Sequence, residues 1–516
     1  MAESSGDVLG VIGIDLGTTN SVISAVVHGS VRILVDADGN QLHPSVVSFM
    51  PTGERLVGHR ARARRVIDPE NTISSVKRII GRAYHSVEAQ HAIEQMPYQI
   101  VEGDNQEAIV MSRVGKLSVV DISATVLIYL RQIAESQLGM SVTHCVITVP
   151  ANFSDSQREA TRQAAQRAGM TVLRILNEPT AASLAYGQNR DIHQRIAVFD
   201  LGGGTFDMTL LAMRGDLYEV VATGGDPFLG GDDMDRELAG LLAEQFLKQH
   251  QLDVIEKPEA RARLLWAAEE IKKQLTREEA ASGTISDITR GAGGESLDLE
   301  FRITRAEFDE LVSVLVDRAI DTAAEVLTSA QVTPENVDEI ILVGGATMVP
   351  VVRRRVAVFF GREPLAGINP MQVVAAGAAI HAASLTGAAQ AGLLMDVTPH
   401  SLGIATAGGY AEFLIDKNTP VPAEGTRVFS PARDGQTMIR IRICQGENRE
   451  FEENTVLGEL CLDNLSAAPR SEVKVEVSFL VDANGILKVS ARDLLTDRDV
   501  RATLSVLGIN PAEEAA

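Results

Sequence analysis

Two segments of this chain spell the same local structure. Residues 12–19 read IGIDLGTT and residues 198–205 read VFDLGGGT. Each is a short apolar run, strand-like in composition, that enters an aspartate and then a glycine turn. Gly17 in one and Gly202, Gly203 and Gly204 in the other leave backbone N–H groups uncovered. Thr18, Thr19 and Thr205 add hydroxyl donors. Such turns suit a phosphate. Asp15 and Asp200 stand at the strand ends, where a Mg²⁺ can be held through its water shell while phosphates supply the remaining ligands. No Gly-Lys-Ser/Thr follows either turn, and the glycine spacing is not that of a dinucleotide fingerprint. One turn of this kind is an ordinary tight turn. Two in matching positions imply two similar α/β halves that present hairpins to a shared cleft. A third glycine pair, Val343-Gly344-Gly345-Ala346-Thr347, again follows a strand, and its missing side chains let a ring or ribose approach the backbone.

The texture changes near residue 390. Before it, β-branched runs such as Ile196–Asp200 and Ile340–Val343 alternate with helical stretches such as Arg263–Leu275, the alternation of an α/β architecture. After it the period is two. Ile439, Ile441 and Ile443 face one way, Arg440 and Arg442 the other, and Val473, Val475, Val477 and Phe479 repeat the pattern. Gly408-Gly409, Asp434-Gly435 and Asn484-Gly485 lie between such runs and predict hairpins. This second part reads as an antiparallel β-domain. Between the parts lies an apolar patch, Leu393-Leu394-Met395. It either begins the first strand of the β-domain or docks on the first domain in one state.

The 516 residues carry a net charge of −22, so nucleic acid and an anionic membrane are poor partners. No apolar stretch approaches the roughly 18 residues of a membrane helix. The start, MAESSGDVLG, has no basic region and no apolar core. Cys145, Cys444 and Cys461 lack metal spacing and read as buried thiols in a reducing compartment. The expectation is a cytoplasmic protein.

Seven blocks together resemble the heat-shock protein 70 (DnaK-like) chaperone family: GIDLGTTNS (13–21), NEPTAASLAYG (177–187), FDLGGGTFD (199–207), LGGDDMD (229–235), VGGATMVP (343–350), GLLMDVTPHSLG (392–403) and DANGILKVSARD (482–493). They run in order from about residue 8 to about 507. The first three alone would also fit the wider actin and sugar-kinase superfamily; the linker and β-domain blocks separate the chaperones from it. The resemblance implies a two-lobed, actin-like (duplicated ribonuclease-H-like) ATPase domain over 1–390, a linker over 391–397, an antiparallel β-sandwich peptide-binding domain over 398–508, and a tail over 509–516. It implies an ATP-dependent chaperone using ATP and Mg²⁺. Its partners would be extended or unfolded polypeptides, a J-domain co-chaperone and a nucleotide exchange factor. The alternative is a lidless relative that binds ATP mainly for structure and regulates or scaffolds another chaperone.

Carried onto this sequence, the resemblance gives Asp15, Thr18 and Thr19 to the first phosphate loop and Asp200 through Thr205 to the second. Lys77 would contact the γ-phosphate and attacking water, Glu178 would support the Mg²⁺ and water network, Thr205 would lie beside the γ-phosphate, and Asp207 would accept a proton or orient water. Glu269, Lys272 and Thr276 would hold ribose and adenine. Lys273 stands where many relatives stack an arginine on adenine, and Gly344 and Gly345 would let the ring or ribose approach the backbone. Pro150 and Arg158 would sense the γ-phosphate and relay it outward. Leu393 and Leu394 would couple the domains, and Arg174, Asn177 and Asp396 lie in segments that receive a J-domain. Ile404, Thr406, Phe429, Ile439, Ile441 and Val475 would line a pocket for one leucine-like side chain; read without the family they are simply a sandwich core. The chain departs from the family at Met348 for a second stacking arginine, Ala346 for a serine, Met371 for an acidic residue, and Asn20 and Asn152 for aromatics. Ala407 and Ala432 occupy both arch positions, so the arch would be open. After Leu504-Ser505-Val506 only a short tail follows, so the family's helical lid does not appear in this sequence, either because the member is naturally lidless or because the sequence is truncated.

Overall fold

The computed structural model describes residues 10–187, 193–254, 257–389, 392–463, 465–496 and 498–503. The starting segment 1–9, Gln390, Leu504–Val506 and the tail 509–516 lie outside the described residues.

Two mixed sheets are built on the same plan. In the first, the strands are Val11–Asp15 (β1), Asn20–Val27 (β2), Ser30–Ile33 (β3), His144–Val149 (β4) and Thr171–Asn177 (β5). They lie in the order β5-β4-β1-β2-β3, with β1 parallel to β4 and antiparallel to β2; His43–Pro44 also pairs with β2. In the second, they are His193–Leu201 (β6), Phe206–Arg214 (β7), Leu217–Asp226 (β8), Glu339–Val343 (β9) and Leu393–Met395 (β10). The order is β9-β6-β7-β8-β10. Here β6 is parallel to β9 and antiparallel to β7. The duplication read from the two Asp–Gly turns is therefore a duplication of topology. Asp15 pairs across its hairpin with Val22, and Asp200 with Asp207.

The main helices are Val119–Leu138 (α1), Asp155–Arg167 (α2), Glu178–Gly187 (α3), Gly231–His250 (α4), Pro258–Leu275 (α5) and Val373–Leu385 (α6). α6 is nearly all small residues, VVAAGAAIHAASL, and is buried along most of its length. It packs on α3, β1 and β2. A Cβ at Gly377 would run into the Ala181 carbonyl of α3, so glycine there sets how closely the two helices approach. Residues of both sheets, among them Val146, Leu176, Ile196, Val198 and Ile341, meet α3 and α6 in one shared core. That core fixes the floor of the space between the halves.

The β-domain is two four-stranded antiparallel sheets. Its strands are Leu402–Ala405 (β11), Ala411–Ile415 (β12), Ala423–Phe429 (β13), Ile439–Gln445 (β14), Thr455–Leu462 (β15), Val475–Val481 (β16), Leu487–Asp493 (β17) and Arg498–Thr503 (β18). The orders are β12-β11-β14-β15 and β13-β16-β17-β18. Gly408 and Gly409, both at positive φ, turn β11 into β12, and Gly485 turns β16 into β17. Asp434-Gly435 does not make a hairpin. β13 and β14 belong to different sheets, so this turn crosses between them, and the Gly435 N–H donates to the Ala468 carbonyl. The period of two locates the inward faces but does not say which strand is the partner.

The apolar linker patch resolves into β10, an added parallel strand at the edge of the second sheet. Leu393 aligns with Leu217 and Leu394 with Tyr218. It does not begin the β-domain. The thiols divide: Cys145 and Cys444 are buried, but Cys461 is exposed, because alternation along β15 turns it outward between Leu460 and Leu462. No helix among the described residues is long and apolar enough to cross a membrane.

Candidate functional site

A cavity of about 1020 Å³ opens between the two halves. Its inner end is formed by the two hairpins: Asp15, Gly17, Thr18 and Thr19 on one side, Asp200, Gly202, Gly203 and Thr205 on the other. Lys77 and Glu178 close that end. Glu269, Lys272 and Lys273 of α5, with Thr276 just past its C-terminal end, line the outer part, opposite Gly344, Gly345, Ala346, Met348 and Met371. Gly204 and Asp207 sit one layer behind the wall. Gly204 packs against Thr18 and Arg78, and Asp207 is 2 % exposed.

The inner end concentrates charge. Lys77 Nζ lies 2.6 Å from Glu178 Oε1, both side chains nearly buried, and 5.6 Å from the centre of the Phe153 ring. Burial and the neighbouring Glu178 push Asp15 up to about 7, with Lys77 and the Thr148 hydroxyl opposing. Burial, then Glu178, Asp207 and Asp15, push Asp200 well above the usual carboxylate range. Burial and Glu178 raise Asp207 to about 7, against the Asn152 N–H and Lys77. Buried carboxylates facing one lysine disfavour one another's ionisation. A divalent cation would relieve this. Among the described residues no group of three or more His, Cys, Asp or Glu side chains could hold a metal ion. Asp15 and Asp200 are the carboxylates placed to hold a Mg²⁺ through water beside phosphates, which is how that ion is commonly bound.

The outer part is cross-braced. Lys272 Nζ donates to Asp235 Oδ2 and to the Gly231 carbonyl, each at 2.8 Å, and so ties α5 to α4. Glu269 accepts from Arg62 at 2.9 Å, Arg65 at 3.3 Å and Lys273 at 2.8 Å. Burial opposes ionisation of Glu269, but Lys273, Arg62 and Arg65 outweigh it and hold the carboxyl at about 2. The Arg62 guanidinium also lies 4.9 Å from the Trp266 ring centre. Asp232 accepts from Thr19 at 3.2 Å and Ser75 at 2.9 Å, joining the halves. Sequence reasoning named neither Arg62, Arg65 nor Asp232. The basic run HRARARR at 59–65 and the paired aspartates after Gly230-Gly231 are the signals that pointed there.

A second polar cluster lies where the domains meet. Arg158 donates to Asn177 Oδ1 at 2.7 Å, to the Ala151 carbonyl at 3.1 Å and to the Phe153 carbonyl at 3.2 Å. Asn177 Nδ2 donates to Asp396 Oδ2 at 2.7 Å. Pro150 is buried just before this loop, its carbonyl accepting from the Phe153 N–H, and Arg174 faces Asp396 electrostatically. A capping box between Ser154 and Gln157 starts α2 and holds Asp155 at its first position. Asp155 Oδ1 accepts from the Leu487 N–H of the β-domain at 2.5 Å, and Asn484 Oδ1 accepts from the Ile175 N–H at 3.3 Å.

Asp155 is expected to make this joint pH-sensitive. Its carboxyl is pushed from 3.8 to about 7 by burial, with Glu159 and Asp482 adding to the rise and the Leu487 N–H and Arg158 opposing it. Once the domains part, water returns the group toward its ordinary value. The raised value belongs to the docked form, so the docked form binds the proton more tightly. Docking is strongest below the undocked value and is lost as pH rises through about 7. Between pH 6 and pH 8 the docking equilibrium is expected to fall by about tenfold. Limited proteolysis at the linker across that range measures it. Asp155→Asn should flatten the profile; a profile unchanged by that substitution would assign the dependence elsewhere.

In the β-domain, Ile404, Ile441 and Val475 are buried in the core that the two sheets share. Phe429 and Ile439 pack half-buried against it. Thr406 caps the β11–β12 turn through Tyr410, and Ala407 and Ala432 are exposed. The structure thus does not gather these eight residues on one open surface. Positions of like parity face the opposing sheet, and here that interior is filled.

These features define a mixed α/β protein with a cleft lined by two Asp–Gly hairpins and a strand-linked antiparallel β-domain. The family model for the Hsp70 protein matches residues 11–514, and the chain belongs to the heat-shock protein 70 family. Chaperone function, ATPase activity, ATP and Mg²⁺ binding, and dealings with unfolded clients and co-chaperones are general properties of that family.

Proposed function

We propose that the chain is an ATP-hydrolysing chaperone in which an actin-like two-lobed domain, residues 1–390, drives a β-sandwich peptide-binding domain, residues 398–508, through the 391–397 linker. One observation carries this reading: two Asp–Gly hairpins in equivalent positions of two like-built sheets converge with Lys77 on one cleft, and the linker is a strand of the second of those sheets. Gly17–Thr19 and Gly202–Thr205 would cradle the phosphates. Asp15 and Asp200 would hold Mg²⁺ through water, the cation neutralising charge on the phosphates. Lys77 would stabilise the transferring phosphoryl group, with Glu178, Thr205 and Asp207 ordering the attacking water. Lys272 and Thr276, with Glu269 and Lys273, would hold the nucleoside opposite Gly344 and Gly345. Pro150, Arg158, Asn177, Asp396 and Leu394 would carry the nucleotide state to the β-domain. Extended apolar peptides would be the clients, a J-domain protein and an exchange factor the partners, and the cytoplasm the compartment.

The filled interior around Ile404, Ile441 and Val475 favours a second reading, in which ATP binding is structural and the chain regulates another chaperone. Single-turnover hydrolysis with and without a panel of short apolar peptides separates the two. The chaperone reading expects hydrolysis within minutes, accelerated several-fold by peptide. Tight ATP binding with no peptide-sensitive hydrolysis would support the regulator.

A further inference from the structure

Asn152 lies in the loop between β4 and α2, and its side chain reaches back to the second sheet. Its Nδ2 donates to Asp207 Oδ1 at 2.8 Å, and its own backbone N–H donates to the same oxygen at 3.3 Å. Two donors on one oxygen fix the rotation of the carboxylate about its Cβ–Cγ bond, and so the direction in which the other oxygen points. Space for this contact comes from Gly225. In the β7–β8 register Gly225 stands opposite Asp207. A Cβ there would overlap Asn152 Nδ2 and the Phe206 carbonyl and approach Asp207 Oδ1. A small notch opposite Asp207 thus receives a carboxamide.

We propose that Asn152 is a positioning residue for ATP hydrolysis, seated in the notch at Gly225 and setting the orientation of Asp207. This rests on the reading of the cleft as an ATPase site. The carboxamide suits the place because it donates without adding charge to a pocket that already holds Asp15, Glu178, Asp200 and Asp207. Its neighbour Ala151 accepts from Arg158 through its carbonyl at 3.1 Å, so the loop that orients Asp207 is anchored on the cluster at the domain joint. Neither partner is near in sequence, and no motif marks the pair.

The test is single-turnover hydrolysis by the full chain, beside titration with a fluorescent ATP analogue. Asn152→Ala keeps the backbone donor and loses the side-chain one. It is expected to lower the hydrolysis rate by about tenfold with nucleotide affinity within about twofold, since misorientation acts on the reacting geometry rather than on binding. Asn152→Asp has the same shape but sets a carboxylate against Asp207, and is expected to be slower than Asn152→Ala by roughly a further tenfold. A residue that merely packed would give the opposite order, because Asp preserves the shape and Ala does not. Gly225→Ala is expected to reproduce Asn152→Ala by filling the notch. Hydrolysis by Asn152→Asp at the parent rate, or by Asn152→Ala at the parent rate, overturns the proposal. Lys77→Ala run in parallel separates the layers: if it is inactive while Asn152→Ala is normal, only the role of Asn152 falls, and if both are normal, the ATPase reading falls with it.

Discussion

Lys77→Ala is expected to lower single-turnover ATP hydrolysis by about a hundredfold or more, the usual scale for removing one preorganised charge from a reacting site. The ammonium is held on both sides, by Glu178 at 2.6 Å and by the Phe153 ring at 5.6 Å. It is therefore in place before substrate arrives and need not be ordered during the reaction. It is also the cation that Asp15, Asp200 and Asp207 all feel as lowering their proton affinity. Its loss would leave Asp15, Glu178 and Asp200 on the wall of the cleft, with Asp207 behind them, and no lysine among them. ATP binding should fall by a smaller factor than turnover, because the glycine turns keep their N–H donors. Thr205→Ala and Asp200→Asn are expected to follow the same pattern. Quench-flow with radiolabelled ATP, beside equilibrium binding of a fluorescent analogue, gives both numbers. Near-parental turnover in Lys77→Ala would remove phosphoryl transfer from this cleft.

What the sequence discloses about this site depends on whether the physics is local. The strand–Asp–Gly turns at Asp15 and Asp200 are legible because the turn, its donors and its carboxylate lie within eight residues, and their recurrence predicts two matching sheets. Lys77 and Glu178 have nothing local that sets them apart from polar neighbours such as Arg78 and Asn177; only the resemblance singles them out. Asn152 and Asp155 act on partners far along the chain, Asp207 and Leu487, so no window of sequence holds both ends of either contact. The β-domain fails differently. Period two at Ile439, Ile441 and Val475 identifies the inward faces correctly, but the same pattern describes an open channel and a filled sandwich. Asp434-Gly435 is a sound turn signal whose flanking strands join different sheets. In both cases the missing information is which strand lies opposite.

The linker illustrates the same point and yields a sharp expectation. Leu393, Leu394 and Met395 form three parallel pairs with Leu217, Tyr218 and Glu219, preceded by the Leu393 N–H donating to the Asp216 carbonyl at 2.7 Å. A strand three residues long contributes few backbone hydrogen bonds, so its side chains decide whether it stays. They are unequal. Leu394 packs against the core that α3 and α6 share with both sheets, while Leu393 is 67 % exposed in the docked strand. An aspartate at 394 would set a charge against that apolar core, whereas an aspartate at 393 would remain in water. Leu394→Asp is therefore expected to weaken docking by at least about tenfold and to raise cleavage of the linker by protease correspondingly. It should also abolish peptide stimulation of hydrolysis, because Asp396 can meet Asn177 only while the strand is seated. Leu393→Asp should leave docking within about twofold, consistent with the small cost of surface substitutions. The pair is read by linker proteolysis with and without ATP and by peptide-stimulated turnover, with ATP affinity as the control expected to stay constant. Equal effects at 393 and 394 would mean that the patch acts through its overall apolarity and not as a strand with one buried face.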